Sequence, residues 1–239
     1  MGKRLESQRR GKGSHTFIST HKRTKSMYPR LSRIGGATVK AQVIELYKDS
    51  GRQAIMQKLQ LEDNTEALLV APEGTFTGKE IFIGPQAGIE TGNVTPLRNV
   101  PEGCPVFNIE FRPGDGGKAA KATGQFCILI SKGPSTASVK LPSGEAKELS
   151  LDCYATIGIA SGGERMEKPM FKAGNAYYYY KSKKIFWPTV RGVKKNALDH
   201  PFGGAQHHAG KSKSTSRHAP PGRKVGHIAS SRTGRKKKN

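Results

Sequence analysis

The two ends of this chain contain almost no acidic residues. Residues 1–33 contain a single acid, Glu6, and residues 168–239 contain a single acid, Asp199. The same stretches contain 10 and 18 lysines and arginines, which gives net charges of +9 and +17, whereas residues 34–167 carry −3. A nearly neutral body between strongly basic ends predicts a negatively charged partner, either nucleic acid or a membrane surface.

Long apolar segments are also missing. The longest apolar runs, such as Phe126 to Ile130, are far too short to span a bilayer. Neither basic end repeats large apolar residues at the helical spacing that a membrane-surface helix needs. The basic start, MGKRLESQRRGKG, has no apolar stretch behind it, unlike a signal peptide. We therefore expect a cytoplasmic protein whose partner is nucleic acid and not a membrane.

Cysteine is scarce, which argues against a thiolate metal site. The three cysteines, Cys104, Cys127 and Cys153, are widely spaced, form no C-x-x-C pair and have apolar neighbours, so buried reduced thiols are expected. Asp199 and His200 are adjacent, but no candidate nucleophile accompanies them. We expect no cofactor, no bound metal and no enzymatic activity.

Five histidines cluster late in the chain, which leaves metal binding as an alternative to solvated or RNA-packed imidazoles. These are His200, His207, His208, His218 and His227. The second interpretation is favoured, because Asp199 is the only carboxylate near them and no thiol accompanies them.

Glycine and proline total 43 residues, and they separate short segments of alternating apolar residues. This texture predicts an all-β protein. Strands are expected at 37–47, 53–61, 66–71 and 80–83, with Ile55, Leu59 and Leu61 facing inward in the second. These would form one small antiparallel barrel or sandwich.

A second barrel of SH3-like size is predicted after the turn-rich stretch 85–101. Its five strands are expected at 104–111, 125–131, 138–141, 146–149 and 154–160. The predicted domains are a basic N-terminal extension (1–35), a first barrel (36–92), a second barrel (93–170) and a basic C-terminal extension (171–239). We expect residues 1–33 to be disordered until a partner binds, since they contain few apolar side chains.

Three stretches are candidates for contact with RNA. The loop RPGDGGKAAKATG, 112–124, combines glycines that allow close backbone approach with lysines, so it could hold phosphate, or it could be a mobile hairpin loop. It fails the P-loop pattern because neither serine nor threonine follows Lys118. The segment AYYYYKSKKIFW, 176–187, could stack tyrosines on bases while lysines meet phosphate, or it could be a strand packed on the barrel. The irregular basic segment 187–210 is expected to be extended and to take its shape from its partner.

The same motifs resemble a known family. PTVRGVKKNALDHPFGGAQHH, at 188–208, is similar to the signature of the second universal large-subunit ribosomal protein. IEFRPGDGGKAAKATG and KLPSGE resemble that family's central RNA-binding loop and second-barrel hairpin, and both termini resemble the archaeal and eukaryotic cytosolic branch. The resemblance covers nearly the whole chain. It implies an OB-like barrel, then an SH3-like barrel, with both extensions threaded into large-subunit rRNA.

The resemblance also implies a function and partners. The chain would be a structural constituent of the large ribosomal subunit, binding rRNA near the peptidyl transferase region and supporting subunit association. It would meet other large-subunit proteins and contact the small subunit and tRNA. The alternative is an OB-fold RNA binder or RNA-processing factor outside the ribosome. Bacterial members of the family have a second histidine where this chain has Phe202, so only His200 can inherit a histidine role.

Together the basic motifs and the resemblance yield one set of expected rRNA contacts. The set comprises Arg112, Gly114, Gly116, Gly117, Lys118, Lys121, Lys181, Lys183, Lys184, Arg191, Gly192, Lys194, Lys195, His200, Gly203, Gly204, Arg223 and Lys224.

Overall fold

The computed structural model describes residues 2–19, 24–29, 37–49, 52–204 and 207–234. The chain divides into two units. His21–Pro169 form the first, called here the barrel unit, and Met1–Thr20 with Met170–Asn239 form the second, called the basic unit. The barrel unit has 19 lysines and arginines against 16 acids, a net charge of +3, whereas the basic unit has 22 against two, a net charge of +20.

Ten strands of the barrel unit form one continuous sheet. Their order is β3-β2-β1-β4-β5-β10-β6-β7-β8-β9. The strands are β1 (Val39–Lys48), β2 (Ile55–Leu61), β3 (Glu66–Val70), β4 (Glu80–Ile83), β5 (Val94–Pro96), β6 (Pro105–Phe107), β7 (Cys127–Lys132), β8 (Thr136–Lys140), β9 (Ala146–Ser150) and β10 (Tyr154–Ile157). The all-β expectation, an OB-like barrel followed by an SH3-like barrel with basic extensions, is confirmed.

The first barrel is built on antiparallel pairs of β1 with β2 and β4. The sequence of β4, EIFI, alternates exposed and buried residues, so that Ile81 and Ile83 join a core that also contains Leu59 and Val43. The expected inward position of Ile55 is wrong: its side chain is 40% exposed.

The second barrel has its own core around Val106, Leu129, Val139 and Ala155. It follows the first without a break in the sheet, because β4 pairs in parallel with β5 and β5 pairs with β10. The sequence pattern predicted only turns for the stretch that contains β5, although all three residues of that strand are buried.

A small third cluster connects strands of both barrels. Phe107 from β6 is fully buried there with Met56 from β2 and Val70 from β3. Cys127 and Cys153 lie buried in the second barrel, Cys104 is half-buried, and all three thiols are free.

The N-terminal segment 24–29 belongs to the barrel unit. Tyr28 is 6% exposed and Ser26 is 3% exposed, so this part of the predicted extension has a defined place on the body. The structure differs here from the expectation of disorder, because the ring of Tyr28 is buried in the core of the first barrel. Residues 20–23 and 30–36 lie outside the described residues.

In the part of the basic unit that the structure describes, the chain forms two short α-helices, α1 (Glu6–Gly11) and α2 (Ala173–Ser182), and a two-stranded parallel ribbon of β11 (Ser214–Thr215) with β12 (His227–Ile228). The helix α2 overturns the strand interpretation of the tyrosine-rich segment. Among the described residues, the structure has no helix with the length and apolarity needed to cross a membrane.

Replacement of Phe107 by alanine tests the third cluster. We expect Phe107→Ala to lower the free energy of unfolding by about 3–5 kcal/mol, because it opens a cavity where three strands meet. Phe82→Ala is the matched control, since the side chain of Phe82 in β4 is 37% exposed and its removal should cost far less. Urea unfolding of the full chain measures both, and equal destabilisation would contradict the assignment.

Candidate nucleic-acid interface

A buried carboxylate organises the glycine-rich loop. Glu110, which is 2% exposed, accepts hydrogen bonds from the backbone N–H groups of Gly116 at 2.9 Å, Gly114 at 3.2 Å and, on β10, Tyr154 at 3.0 Å. Gly114 and Gly116 have φ near +80°, a left-handed conformation that glycine adopts without strain. The loop is therefore tied to the second barrel by charge-assisted hydrogen bonds.

Asp115 is a second carboxylate turned towards the loop backbone. It accepts the N–H groups of Phe111 at 3.1 Å, Gly117 at 3.2 Å and Arg112 at 3.3 Å, and it lies 3.3 Å from the ammonium of Lys118. Burial alone would raise the pKa of Asp115, but these hydrogen bonds outweigh it, so the pKa lies below its ordinary value. The carboxylate therefore stays ionised.

These two acids change the interpretation of the loop. The N–H groups of Gly114, Gly116 and Gly117 were expected to cradle phosphate, but each donates to a carboxylate of the chain itself. The loop backbone is thus not a phosphate nest, because its donors are satisfied in the free protein. A Cβ at Gly117 would also collide with Asn108, which explains why glycine is required there.

Lys121 was expected to contact RNA, but its ammonium points into the barrel unit. The Nζ atom donates to the carbonyl oxygens of Ser26 and, at 2.9 Å, Gly117. Burial, together with the charge of Arg52, lowers the pKa of Lys121 to about 8. Lys121 therefore links the loop to the segment that contains Ser26.

Two cations of the loop remain on the surface. Arg112 is exposed, and the side chain of Lys118 is 60% exposed despite its contact with Asp115. Because the carboxylates are turned inward, the charges that this loop presents to a partner are mainly positive.

Helix α2 presents aromatic rings and lysines to solvent. None of its ten described residues is buried, and Tyr178 is 69% exposed. The ammonium of Lys181 lies 5.6 Å from the Tyr177 ring centre, and that of Lys183 lies 4.1 Å from the Tyr179 ring centre. Exposed rings next to cations suit stacking on bases with simultaneous phosphate contact.

The end of α2 folds back on itself. Lys184 adopts a left-handed conformation with φ of 54°, and the N–H of Ile185 donates to the carbonyl of Tyr180 at 3.0 Å, which closes the helix in a Schellman-type turn. Trp187 then stacks on Tyr180, with ring centres 5.7 Å apart and planes 17° apart. The turn keeps Trp187 beside the helix.

The segment 191–204, expected to be extended, is compact. Gly192 begins a 3-10 turn, Gly192–Lys194, and the His200 ring lies so close that a Cβ on Gly192 would overlap it. A Cβ on Gly203 would collide with the backbone of Asn196, and the N–H of Gly204 donates to Lys195 at 3.1 Å. These glycines allow close approach of the chain to itself, where we had expected approach to RNA. Arg191 and Lys194 are exposed on this turn and Lys195 is half-buried.

His200 holds the same turn together. Its Nδ1 accepts the N–H of Phe202 at 3.0 Å, and the two ring centres are 5.2 Å apart. Partial burial, and then the charge of Lys195, lower the pKa of His200, so its neutral form is favoured. Within the described parts of the chain, no three His, Cys, Asp or Glu residues form a group that could hold a metal ion.

The last predicted cations lie between the strands of the ribbon. Thr215 in β11 donates from its hydroxyl to the carbonyl of Val225 at 2.6 Å, which fixes the chain that follows Arg223 and Lys224. Lys224 is exposed and Arg223 is half-buried.

A nearly neutral pair of β-barrels, together with a unit of net charge +20 that exposes lysines beside aromatic rings, defines an RNA-binding protein of the β-barrel class. Residues 90–224 match the family model of Ribosomal Proteins L2, C-terminal domain. The chain therefore belongs to the L2 family of ribosomal proteins, as the sequence motifs suggested.

The similarity to archaeal relatives extends over nearly the full length. The large ribosomal subunit protein uL2 of Haloarcula marismortui is 47% identical over 236 residues, covering 98% of both chains. The protein of the same name from Natronomonas pharaonis is 48% identical over 236 residues, covering 98% of this chain and 97% of its own length. That of Methanococcus maripaludis is 48% identical over 242 residues, covering 99% and 100%. The chain is therefore a uL2 ribosomal protein of the archaeal type.

Glu110→Gln tests whether the buried acid organises the loop. The amide keeps one acceptor but presents an N–H group to backbone donors, so we expect the free energy of unfolding to fall by about 1.5–3 kcal/mol. Glu148→Gln, on the exposed surface of β9, removes the same charge and should change little. Denaturant unfolding compares them, and a Glu110 variant as stable as the control would refute the role of Glu110.

Proposed function

We propose that the protein is a structural constituent of the large ribosomal subunit that binds large-subunit rRNA and is not itself an enzyme. The observation that carries this proposal is the division of charge between the two units, +20 against +3, in a chain that matches relatives named large ribosomal subunit protein uL2 over nearly its whole length. A unit with 22 cations and two acids is suited to RNA, whose phosphates supply a dense line of negative charge.

The exposed cations are the proposed phosphate contacts. They are Arg112, Lys118, Lys181, Lys183, Lys184, Arg191, Lys194 and Lys224. The half-buried Lys195, Arg223 and His200 would contribute at the edges of the same surfaces. Gly192, Gly203 and Gly204 would act indirectly, by holding the turn that presents Arg191.

The resemblance supports a place near the peptidyl transferase region, and with it a role in subunit association alongside other large-subunit proteins, with contacts to the small subunit and tRNA. The compact turn around His200 fits a positioning role, since the imidazole accepts a hydrogen bond from its own chain. The cellular site would be the cytoplasmic ribosome. Retention on large subunits after a high-salt wash is the direct test, and release into the soluble fraction would favour an RNA binder outside the ribosome.

The salt dependence of rRNA binding tests the phosphate contacts. We expect Lys118→Ala or Arg191→Ala to weaken binding and to reduce the slope of log K against log salt by about 0.7–0.9 for each phosphate that is no longer neutralised. Lys40→Ala removes one charge at a side chain already paired with Glu80 at 2.7 Å, so it serves as the control. Filter binding over a salt series gives the slopes, and unchanged slopes would exclude these two residues as phosphate contacts.

Trp187, the single tryptophan of the chain, is a natural reporter of stacking at α2. We expect its fluorescence to be quenched when large-subunit rRNA binds. Tyr178→Ala should weaken binding by about 1–3 kcal/mol, the usual value of one aromatic–base stack. Phe76→Ala removes another exposed ring, 61% accessible on the barrel unit, and should leave affinity unchanged. Binding by the Tyr178 variant with full affinity would contradict stacking on that ring.

A further inference from the structure

The segment 24–29, called here the strap, crosses the barrel unit and contacts the glycine-rich loop. At its first residue, the N–H and hydroxyl of Thr24 donate to the carboxylate of Asp49 at 3.1 and 2.8 Å. Arg52 donates to the carbonyl of Thr24 at 3.2 Å. The strap is thus attached to the body just after β1, far along the chain from the loop.

At its other end the strap is anchored by Tyr28. The buried hydroxyl donates to the carbonyl of Asn108 at 2.6 Å and lies 2.7 Å from the hydroxyl of Thr156, which can donate to it. Burial raises the pKa of Tyr28 far above its ordinary value, so the phenol stays protonated. Asn108 precedes Glu110 by two residues and Thr156 lies in β10, so Tyr28 joins β10 to the chain that leads into the loop.

The strap touches the loop three times, through Ser26, Met27 and Tyr28. The N–H of Tyr28 donates to the carbonyl of Gly116 at 3.1 Å. The Met27 side chain lies against Gly116, where a Cβ would come within 3.0 Å of it. The ammonium of Lys121, in the loop, donates to the carbonyl of Ser26. The loop is therefore held both by the strap and by Glu110.

We infer that the strap fixes the glycine-rich loop in its RNA-binding shape before RNA arrives, with Tyr28 as the positioning residue that acts through Gly116 and Asn108. This inference rests on the proposed function, in which Arg112 and Lys118 contact rRNA. A loop already held in shape loses less conformational freedom on binding, so its cations bind more tightly. Tyr28 itself touches no RNA in this proposal.

Tyr28→Phe is the test, because it removes one oxygen and keeps the buried ring. In the full chain we expect amide exchange at residues 114–121 to accelerate about tenfold, and the Kd for a large-subunit rRNA transcript to rise about tenfold, which corresponds to about 1.4 kcal/mol. The salt slope should stay at the wild-type value, since every phosphate contact remains. Val43→Ala, in the core of the first barrel, serves as the control for general destabilisation and should leave loop exchange and Kd unchanged.

The possible failures are distinguishable. If Lys118→Ala leaves the Kd unchanged, the loop does not contact RNA, and both the strap inference and that part of the proposed function are overturned. If Lys118→Ala weakens binding but Tyr28→Phe leaves either loop exchange or Kd at wild-type values, only the strap inference is overturned. If Val43→Ala also accelerates loop exchange and raises the Kd, the two changes follow from a general loss of stability, and the inference is overturned.

Discussion

Repulsion among its many positive charges limits which interactions can stabilise the basic unit. It places 22 cations and two acids in 90 residues, so ion pairs within it can balance little of the charge. The pair between Lys3 and Asp199 is 3.7 Å long between side chains that are 69% and 42% exposed, and such surface pairs contribute little. The unit is held by backbone hydrogen bonds and close glycine contacts, and the charge is left for an anionic partner to neutralise.

The barrel unit solves a related problem in the glycine-rich loop. Acids on an RNA-facing surface would repel phosphate, yet glycines at positive φ leave backbone donors that need acceptors. Glu110 and Asp115 satisfy those donors with their charges turned inward, so Arg112 and Lys118 determine the outer potential. Lys121 does the reverse: its ammonium is turned inward and donates to backbone carbonyl oxygens. Rigid backbone and positive surface are therefore produced by the same arrangement.

Periodicity predicted most strands because a half-buried strand has a clear alternating pattern. It missed β5, which is three residues long, ends in Pro96 and is buried throughout, so no alternation exists. It suggested a strand for the segment that forms α2, because tyrosines favour strands. This helix has no buried residues, so its sequence shows no apolar face at helical spacing. For the loop, charge and glycine content predicted a surface site, but the direction of each side chain depends on contacts far along the chain. Tyr28 and Asn108 are 80 positions apart in the sequence, so no local pattern predicts the hydrogen bond between them.

The turn around His200 shows how a change of one residue can alter the use of a family motif. Phe202 stands where bacterial members of the family have histidine, and its ring is 6% exposed, packed where Gly226 leaves room for it. The ring lies against Gly226, the residue before β12, and so links the turn to the ribbon, while the backbone N–H of Phe202 donates to His200 Nδ1 and orients the imidazole. A buried phenyl ring at this position cannot carry a proton. The role that remains for this segment is positioning. Phe202 and the glycines hold the turn, and the turn directs Arg191 and Lys194 towards solvent.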